Sequence, residues 1–435
     1  MGIETGLIGI GLLFVLLALR VPIAVAMLLV SWGGLAWLLA PSVAWGVLSS
    51  IPVEFAANWT ISAVPMFLRM GYIAFYAGLT TSLFELAKAL LARLPGSLAV
   101  SSIIACSGFA AVCGSSLACA AAMGRIAIPE MVRAGYDRNF ACGTVAAGGT
   151  IGALIPPSII MILFGIFAQV SILKLFVAGI GIGLLTALCY IAVILLVSWR
   201  RPDLVPRTLP QVDRGTIRAG LIEMGPVILL RIGLFGGLFG GIFTTTEAGA
   251  VGAALAALIA FVQRRLTVDI LIRSVTETVA TSGSIFVIGV GAMMFTKFLS
   301  ISGTGDFVAD LVNGMDLGYY QLALLVVIIY LVLGTFMDGI GAMLITLPIF
   351  LPILDSASID LIWFGILLTK LIEIGMITPP FGLNVFVIRS VVGDLTSLVG
   401  IFRGILFFFV ADLVVIALAI FFPSIILFLP SLMGN

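Results

Sequence analysis

Apolar runs fill positions of about 3–19, 21–40 and 61–80 and continue, with interruptions, to 199. Polar positions are sparse and clustered, and the clusters fall in matching places in two halves. Ile151-Gly152-Ala153-Leu154-Ile155-Pro156-Pro157 is echoed by Ile374-Gly375-Met376-Ile377-Thr378-Pro379-Pro380. Each Pro-Pro pair follows an earlier proline, Pro129 or Pro352. Pro156 and Pro379 lie 223 positions apart, as do Pro129 and Pro352, so the register needs no gap. Proline removes a backbone donor and clashes with the preceding turn, so each pair predicts a broken helix. Matching broken helices in two halves of a membrane chain point to a transporter's binding site.

The same offset sets Gly114-Ser115-Ser116 opposite Met337-Asp338-Gly339, a small or polar break inside an apolar stretch in each half. The arms on either side run roughly 12–18 residues, short of the ~20 that cross a bilayer, which predicts two re-entrant hairpins. Non-helical backbone at membrane depth is tolerated only against protein or a wet cavity. The expected tips are Gly114-Ser115-Ser116 and Gly334-Thr335 with Asp338, and the far arms are expected to end near Pro129 and Pro352. The first repeat is then 1–199, with scaffold helices over 1–95 and a hairpin and broken helix over about 96–170. A linker at 200–218 leads to the second repeat, 219–435. There the scaffold runs to about 318, the hairpin and broken helix occupy about 319–391, and a helix closes the chain. The fold class is an all-α polytopic membrane protein built from two inverted repeats.

Composition fixes the solvent. Hydrophobic residues make up 62% of the 435 and charged residues 9%, against about half and a quarter in soluble domains. Mean hydropathy is +1.31. The length accommodates roughly ten to twelve spans of about 20 residues. Met1-Gly2-Ile3-Glu4-Thr5-Gly6 has no basic stretch before its apolar run and is expected to begin a first span, not a cleaved signal. No stretch reads as a water-soluble domain, so periplasmic recognition is expected from another chain. Arg200, Arg201, Arg207, Arg214 and Arg218, against Asp203 and Asp213, place the linker in the cytoplasm, with the Gln263-Arg264-Arg265 turn on the same side. Ser302-Gly303-Thr304-Gly305-Asp306 reads as a flexible outward turn. The net charge of +1, with no basic block, gives no sign of nucleic-acid binding.

The chain has no histidine, which removes the commonest general base and metal ligand. Neither metal motifs nor a nucleophile–base pair are present, which argues against an enzyme. Cys106, Cys113, Cys119, Cys142 and Cys189 lie in apolar surroundings with no Cys-x-x-Cys, as expected of small buried hydrophobes. Four polar breaks remain as candidate chemistry: Gly114-Ser115-Ser116; Gly334-Thr335 with Asp338; Gly148-Gly149-Thr150 leading to Pro156-Pro157; and Thr378-Pro379-Pro380 leading to Asn384. A half-helix N-terminus favours an anion, while unwound carbonyls coordinate a hard cation such as sodium. Small residues also serve helix packing, but packing alone does not call for four breaks in register. Asp338, Glu373 and Glu247 are carboxylates in apolar runs, expensive there and usually functional or paired. Glu130 and Arg133 read as interfacial, and Trp32, Trp37, Trp45 and Trp59 as an interfacial belt; Arg69 reads first as snorkelling, with pairing to Glu85 or contact with a partner subunit as the alternatives.

At these motifs the chain resembles the large membrane subunit, DctM-like, of the tripartite ATP-independent periplasmic (TRAP) transporters. In the first half the resemblance is carried by Gly114-Ser115-Ser116, Pro129-Glu130-Met131, Gly135-Tyr136 and Gly152 to Ser158. In the second it is carried by Thr244-Thr245-Thr246-Glu247-Ala248, Phe364-Gly365, Glu373 to Pro380 and Gly382-Leu383-Asn384. Cys113, Thr245 and Arg69 depart from the family pattern, which expects serine, proline and an apolar residue there. The resemblance implies sodium-coupled secondary import of an organic acid by an elevator movement, in a bacterial inner membrane and without a cofactor. It implies two partner chains, a small four-helix membrane subunit and a periplasmic substrate-binding protein. The carried-over substrate and ion region is Gly114, Ser115, Ser116, Gly149, Thr150, Pro156, Pro157, Gly334, Thr335, Asp338, Thr378, Pro379, Pro380 and Asn384. Sodium is expected among Ser115, Ser116, Gly334, Asp338 and Thr378, largely on backbone carbonyls. The alternative is an ion-coupled anion transporter of another inverted-repeat family that needs no binding protein.

Overall fold

The computed structural model describes residues 2–79, 81–206, 214–315 and 317–433, with side chains throughout except at 81, 82, 214–223 and 313. Among these residues the regular structure is all helical. The chain begins with α1 (Gly2–Ala18), α2 (Ile23–Leu38), α3 (Pro41–Ala57), α4 (Ala63–Tyr76) and α5 (Thr81–Leu90). Next come α6 (Ser97–Cys113), α7 (Ser116–Arg133), α8 (Arg138–Thr150), α9 (Ile159–Phe167) and α10 (Ile172–Arg200). The second half opens with α11 (Arg214–Phe239), α12 (Thr245–Val262), α13 (Val268–Ser302) and α14 (Thr304–Gly314). It continues through α15 (Tyr319–Phe336), α16 (Gly339–Ser356), α17 (Leu361–Gly375), α18 (Leu383–Val392), α19 (Leu398–Phe421) and α20 (Ser424–Ser431).

Helix boundaries follow the register of the sequence. Ser116 and Arg133, which bound α7, stand 223 positions before Gly339 and Ser356, which bound α16. Arg138 and Leu361, which open α8 and α17, are separated by the same distance. Local caps set several starts. Asp137 accepts from the Phe140 N–H at 2.9 Å, and Asp360 accepts from Ile362 and Trp363 at 2.7 and 3.0 Å. Each side chain satisfies a donor that the first helical turn leaves free.

Several local expectations give way. Pro129 and Pro352 do not end the hairpin arms: both lie inside α7 and α16, which run on to Arg133 and Ser356. A proline forfeits one helical hydrogen bond, but backbone leaving the helix in lipid would lose its partners altogether. The turn expected at 302–306 shrinks to Gly303, in a left-handed conformation (φ 69°) between α13 and α14. Among the described residues six helices, α10, α12, α13, α15, α16 and α19, are long and apolar enough to span a membrane, against the roughly ten to twelve expected. Shorter apolar helices include α1, α2 and α6, at 16–17 residues. The protein is a multi-pass membrane protein. Positions 207–213 of the arginine-rich linker lie outside the described residues, as do the side chains of Arg214 and Arg218.

Packing separates two buried apolar clusters. The larger joins α2–α4 and α11–α13 to α9, the first part of α10 and α15–α17. The other joins α6–α8 to the second part of α10, α18 and α19. Within the first, α4 lies along α12 and α2 along α13; within the second, α8 packs between α7 and α19. Trp37, Trp45 and Trp59 are exposed. Trp32 instead packs edge-on against Trp45, ring centroids 5.3 Å apart. Arg69 is exposed on α4, and Glu130 pairs with Lys88 at 3.2 Å.

Candidate functional site

Two tips and two breaks converge on one small cavity. At the first tip α6 ends on Gly114, whose φ of 62° suits a residue without Cβ. A Cβ there would also come within 2.3 Å of the Pro157 carbonyl oxygen, so the tip rests directly on the first Pro-Pro break. Ser115 then caps α7, its hydroxyl accepting from the Ala118 N–H at 3.5 Å. The second tip uses other chemistry. α15 runs through Gly334 and Thr335, and the chain breaks only at Met337 and Asp338, with Asp338 accepting from the Gly341 N–H at 3.0 Å. The expected Gly334-Thr335 tip therefore sits in the last turn of a helix. The Thr335 hydroxyl donates to its own Val332 carbonyl at 2.7 Å, while Gly334 is buried against Gly375, where a Cβ would meet the Gly375 Cα at 2.9 Å.

The helix breaks also fall later than the glycines suggest. Gly148, Gly149 and Thr150 are the last residues of α8; the chain tightens into a 3-10 turn at Ile151–Ala153 and opens only around Pro156-Pro157. Both Pro-Pro bonds are cis. The two breaks differ in burial, for Pro156 and Pro157 are buried whereas Pro379 and Pro380 are exposed. Thr378 is half-buried and donates to the Ile374 carbonyl at 2.6 Å. Asn384 is fully buried and its side-chain oxygen and nitrogen both lack partners among the described residues. Its backbone N–H donates to the Met376 carbonyl at 3.0 Å, closing the loop across the second break.

The cavity, about 120 Å³, is lined by Gly114, Ser115, Ser116, Asp338, Gly339 and Glu373, among others. Ser116 and Glu373 meet in it although 257 positions separate them, the hydroxyl donating to Glu373 Oε1 at 2.7 Å. Glu373 Oε2 has no partner. Of the residues expected at the site, Gly114, Ser115, Ser116 and Asp338 thus line one space. Gly149 backs onto Ala120 of α7. Thr150 bonds the Tyr190 hydroxyl at 3.2 Å, away from the cavity. Glu247 serves α12 itself, accepting from the Thr244 N–H at 2.8 Å in a capping box.

Behind Glu373 lies a polar network that the sequence reading missed. Lys370 Nζ stands 2.5 Å from Asp412 Oδ1, and Tyr190 donates to the same oxygen at 2.8 Å. Lys370 and Asp412 are 1% and 0% exposed. The signal that could have found them is an ionisable residue within an apolar run, the reasoning that singled out Glu373. Among the described residues no three His, Cys, Asp or Glu gather as a metal cluster. The cavity wall is mostly apolar, with Ile159, Ile160 and Leu383 among its residues, and its polar groups are two carboxylates, two hydroxyls and the backbone at two helix starts, oxygens of the kind a hard cation takes.

The family described as "Tripartite ATP-independent periplasmic transporter, DctM component" matches residues 10–425. The chain is 35% identical over 385 residues to the C4-dicarboxylate TRAP transporter large permease protein DctM of Pseudomonas aeruginosa, covering 88% of each chain. It is 32% identical over 393 residues to the sialic acid TRAP transporter large permease protein SiaM of Vibrio cholerae, covering 88% of this chain and 91% of the relative. In fold it resembles the YdaH transporter of Alcanivorax borkumensis, with a TM-score of 0.58 at 15% identity over 88% of each chain. Match, identity and coverage agree: this chain belongs to the DctM component family of the TRAP transporters, as a large permease.

Proposed function

We propose that this permease imports an organic acid across the bacterial inner membrane, driven by sodium, with a periplasmic binding protein delivering the substrate and a small membrane subunit completing the scaffold. The observation that carries the reading is the small cavity between the two tips, where the buried Glu373 keeps one oxygen unpartnered. A bare buried carboxylate is costly, and a monovalent cation beside it offsets that cost. In this reading Ser115, Ser116 and Asp338, which line the same cavity, share such an ion, and Gly334 and Thr378 add backbone carbonyls. The named substrates of the two relatives, a C4-dicarboxylate and sialic acid, are carboxylates, which supports an organic acid here.

Size bears on mechanism. The 120 Å³ space holds about four waters at roughly 30 Å³ each, enough for a cation and too little for a dicarboxylate. Substrate therefore enters as the tips separate from the breaks, and its negative charge faces the helix starts at Ser116 and Gly339. The elevator movement and the inverted orientation of the two repeats belong to the same proposal. In it the scaffold of α2–α4 and α11–α13 stays fixed while the tips and breaks travel. The test is uptake of labelled C4-dicarboxylate or sialic acid into proteoliposomes holding this chain and its small subunit. Uptake is expected only with an inward sodium gradient and a loaded binding protein. Equal uptake without sodium refutes the coupling, and equal uptake without binding protein favours a standalone transporter.

A further inference from the structure

Among the described residues three Asp, Glu, Lys or Arg side chains are buried outright: Lys370, Glu373 and Asp412, at 1%, 0% and 0% exposure. One ammonium faces two carboxylates, so the ionised set carries a net −1. In a low-dielectric interior an unmatched charge is strongly unfavourable, which makes the position of the single cation decisive. Lys370 and Glu373 lie one turn apart on α17, the spacing that puts two side chains on one helix face. Each carboxylate also keeps an open acceptor, Oε2 of Glu373 and Oδ2 of Asp412. A lysine has three donors on a four-carbon stem with several rotatable bonds, so it can move between neighbouring acceptors without backbone motion.

The 223 register makes the arrangement one-sided. Counterparts of Lys370, Glu373 and Asp412 in the first half are Ala147, Thr150 and Cys189, none of them charged. Tyr190 anchors Asp412 at 2.8 Å, and Thr150 lies 3.2 Å from the Tyr190 hydroxyl, so the far end of the network is held. Glu373, by contrast, faces the cavity with one hydroxyl for a partner.

We infer that Lys370 is an internal counter-charge for the empty carrier: it pairs with Asp412 while a cation sits at Glu373, and swings to Glu373 when that cation leaves. The inference rests on the cation-coupled reading above and adds a positioning residue to it. Lys370 then competes with the external cation for Glu373 and, during the unloaded return, moves the unmatched charge from the cavity to Asp412, which the Tyr190 hydroxyl holds.

The test compares wild type with Lys370→Met/Asp412→Leu, which removes both charges together and so leaves no new unpaired ion in the core. Sodium binding is read by thermal shift on purified protein with its small subunit, and transport as net uptake and as exchange between substrate-loaded liposomes. Loss of the competitor should lower the half-saturating sodium concentration about tenfold, the equivalent of a modest buried-charge interaction. Net uptake should fall at least about tenfold more than exchange, because exchange skips the empty return. Unchanged or weakened sodium binding, or an equal loss of both transport modes, overturns the inference. If the double variant does not fold, Lys370→Arg serves, since its planar fork grips Asp412 more firmly and should slow net uptake more than exchange. An Arg variant that affects both modes alike overturns the inference equally. If wild-type protein shows no sodium-dependent thermal shift and no gradient-dependent uptake, the coupling reading itself fails and the counter-charge role goes with it.

Discussion

Removing the Ser116 hydroxyl should cost more than an ordinary serine deletion, and by an amount that depends on Glu373. The bond is 2.7 Å long, with Ser116 5% and Glu373 0% exposed. Glu373 Oε2 is already unpartnered, so Ser116→Ala leaves a buried carboxylate with neither oxygen bonded among the described residues. Hydrogen bonds to a charged group contribute about 1.5–3 kcal/mol, against about 0.5–1.5 for neutral pairs. Ser116→Ala should therefore destabilise the sodium-free protein by about 1.5–3 kcal/mol. In a Glu373→Gln background the same change removes a neutral bond and should cost about 1 kcal/mol less. The assay is a double-mutant cycle on the purified complex in detergent, using denaturant or thermal unfolding without sodium. An equal cost in both backgrounds, or a single-variant effect under about 0.5 kcal/mol, refutes the charge-assisted pairing.

Other outcomes follow from the same geometry. Glu373→Gln should abolish sodium-driven uptake while keeping or raising thermal stability, because it removes an incompletely paired buried charge; a variant that unfolds instead contradicts the reading. Gly375→Ala would place a Cβ 2.5 Å from the Gly334 Cα and should cost about 1–3 kcal/mol by overpacking. Gly283→Ala, with nothing within 4 Å, should be neutral or stabilising by up to about 1 kcal/mol, and melting curves of the pair decide it. Ser115→Ala and Thr378→Ala should lower uptake without loss of folded protein, and wild-type rates in both would leave these residues only capping and helix roles.

The fold was legible wherever backbone chemistry is local. The Pro-Pro pairs marked both breaks, Gly114-Ser115-Ser116 marked the first tip to the residue, and an offset read from four prolines carried over to the ends of α7 and α16. Placement by the same local signals failed where neighbours supply what the sequence lacks. Pro129 and Pro352 stay helical, and Gly334-Thr335 and Gly148-Gly149-Thr150 stay in their helices, since packed helices hold small and imino residues in regular backbone.

The sequence by itself determined the solvent, the all-helical class, the broken helices and the family, because apolar content and proline positions act on the chain segment that carries them. Only the tertiary structure decided which charges meet. Lys370 and Asp412 lie 42 positions apart, and Ser116 and Glu373 lie 257 apart, on helices whose facing sides no local pattern specifies. It also decided that one Pro-Pro break is buried and its echo exposed. Two segments with the same backbone propensity acquire different roles from what packs against them, and a buried charge gains its meaning from the counter-charge that the fold brings within reach.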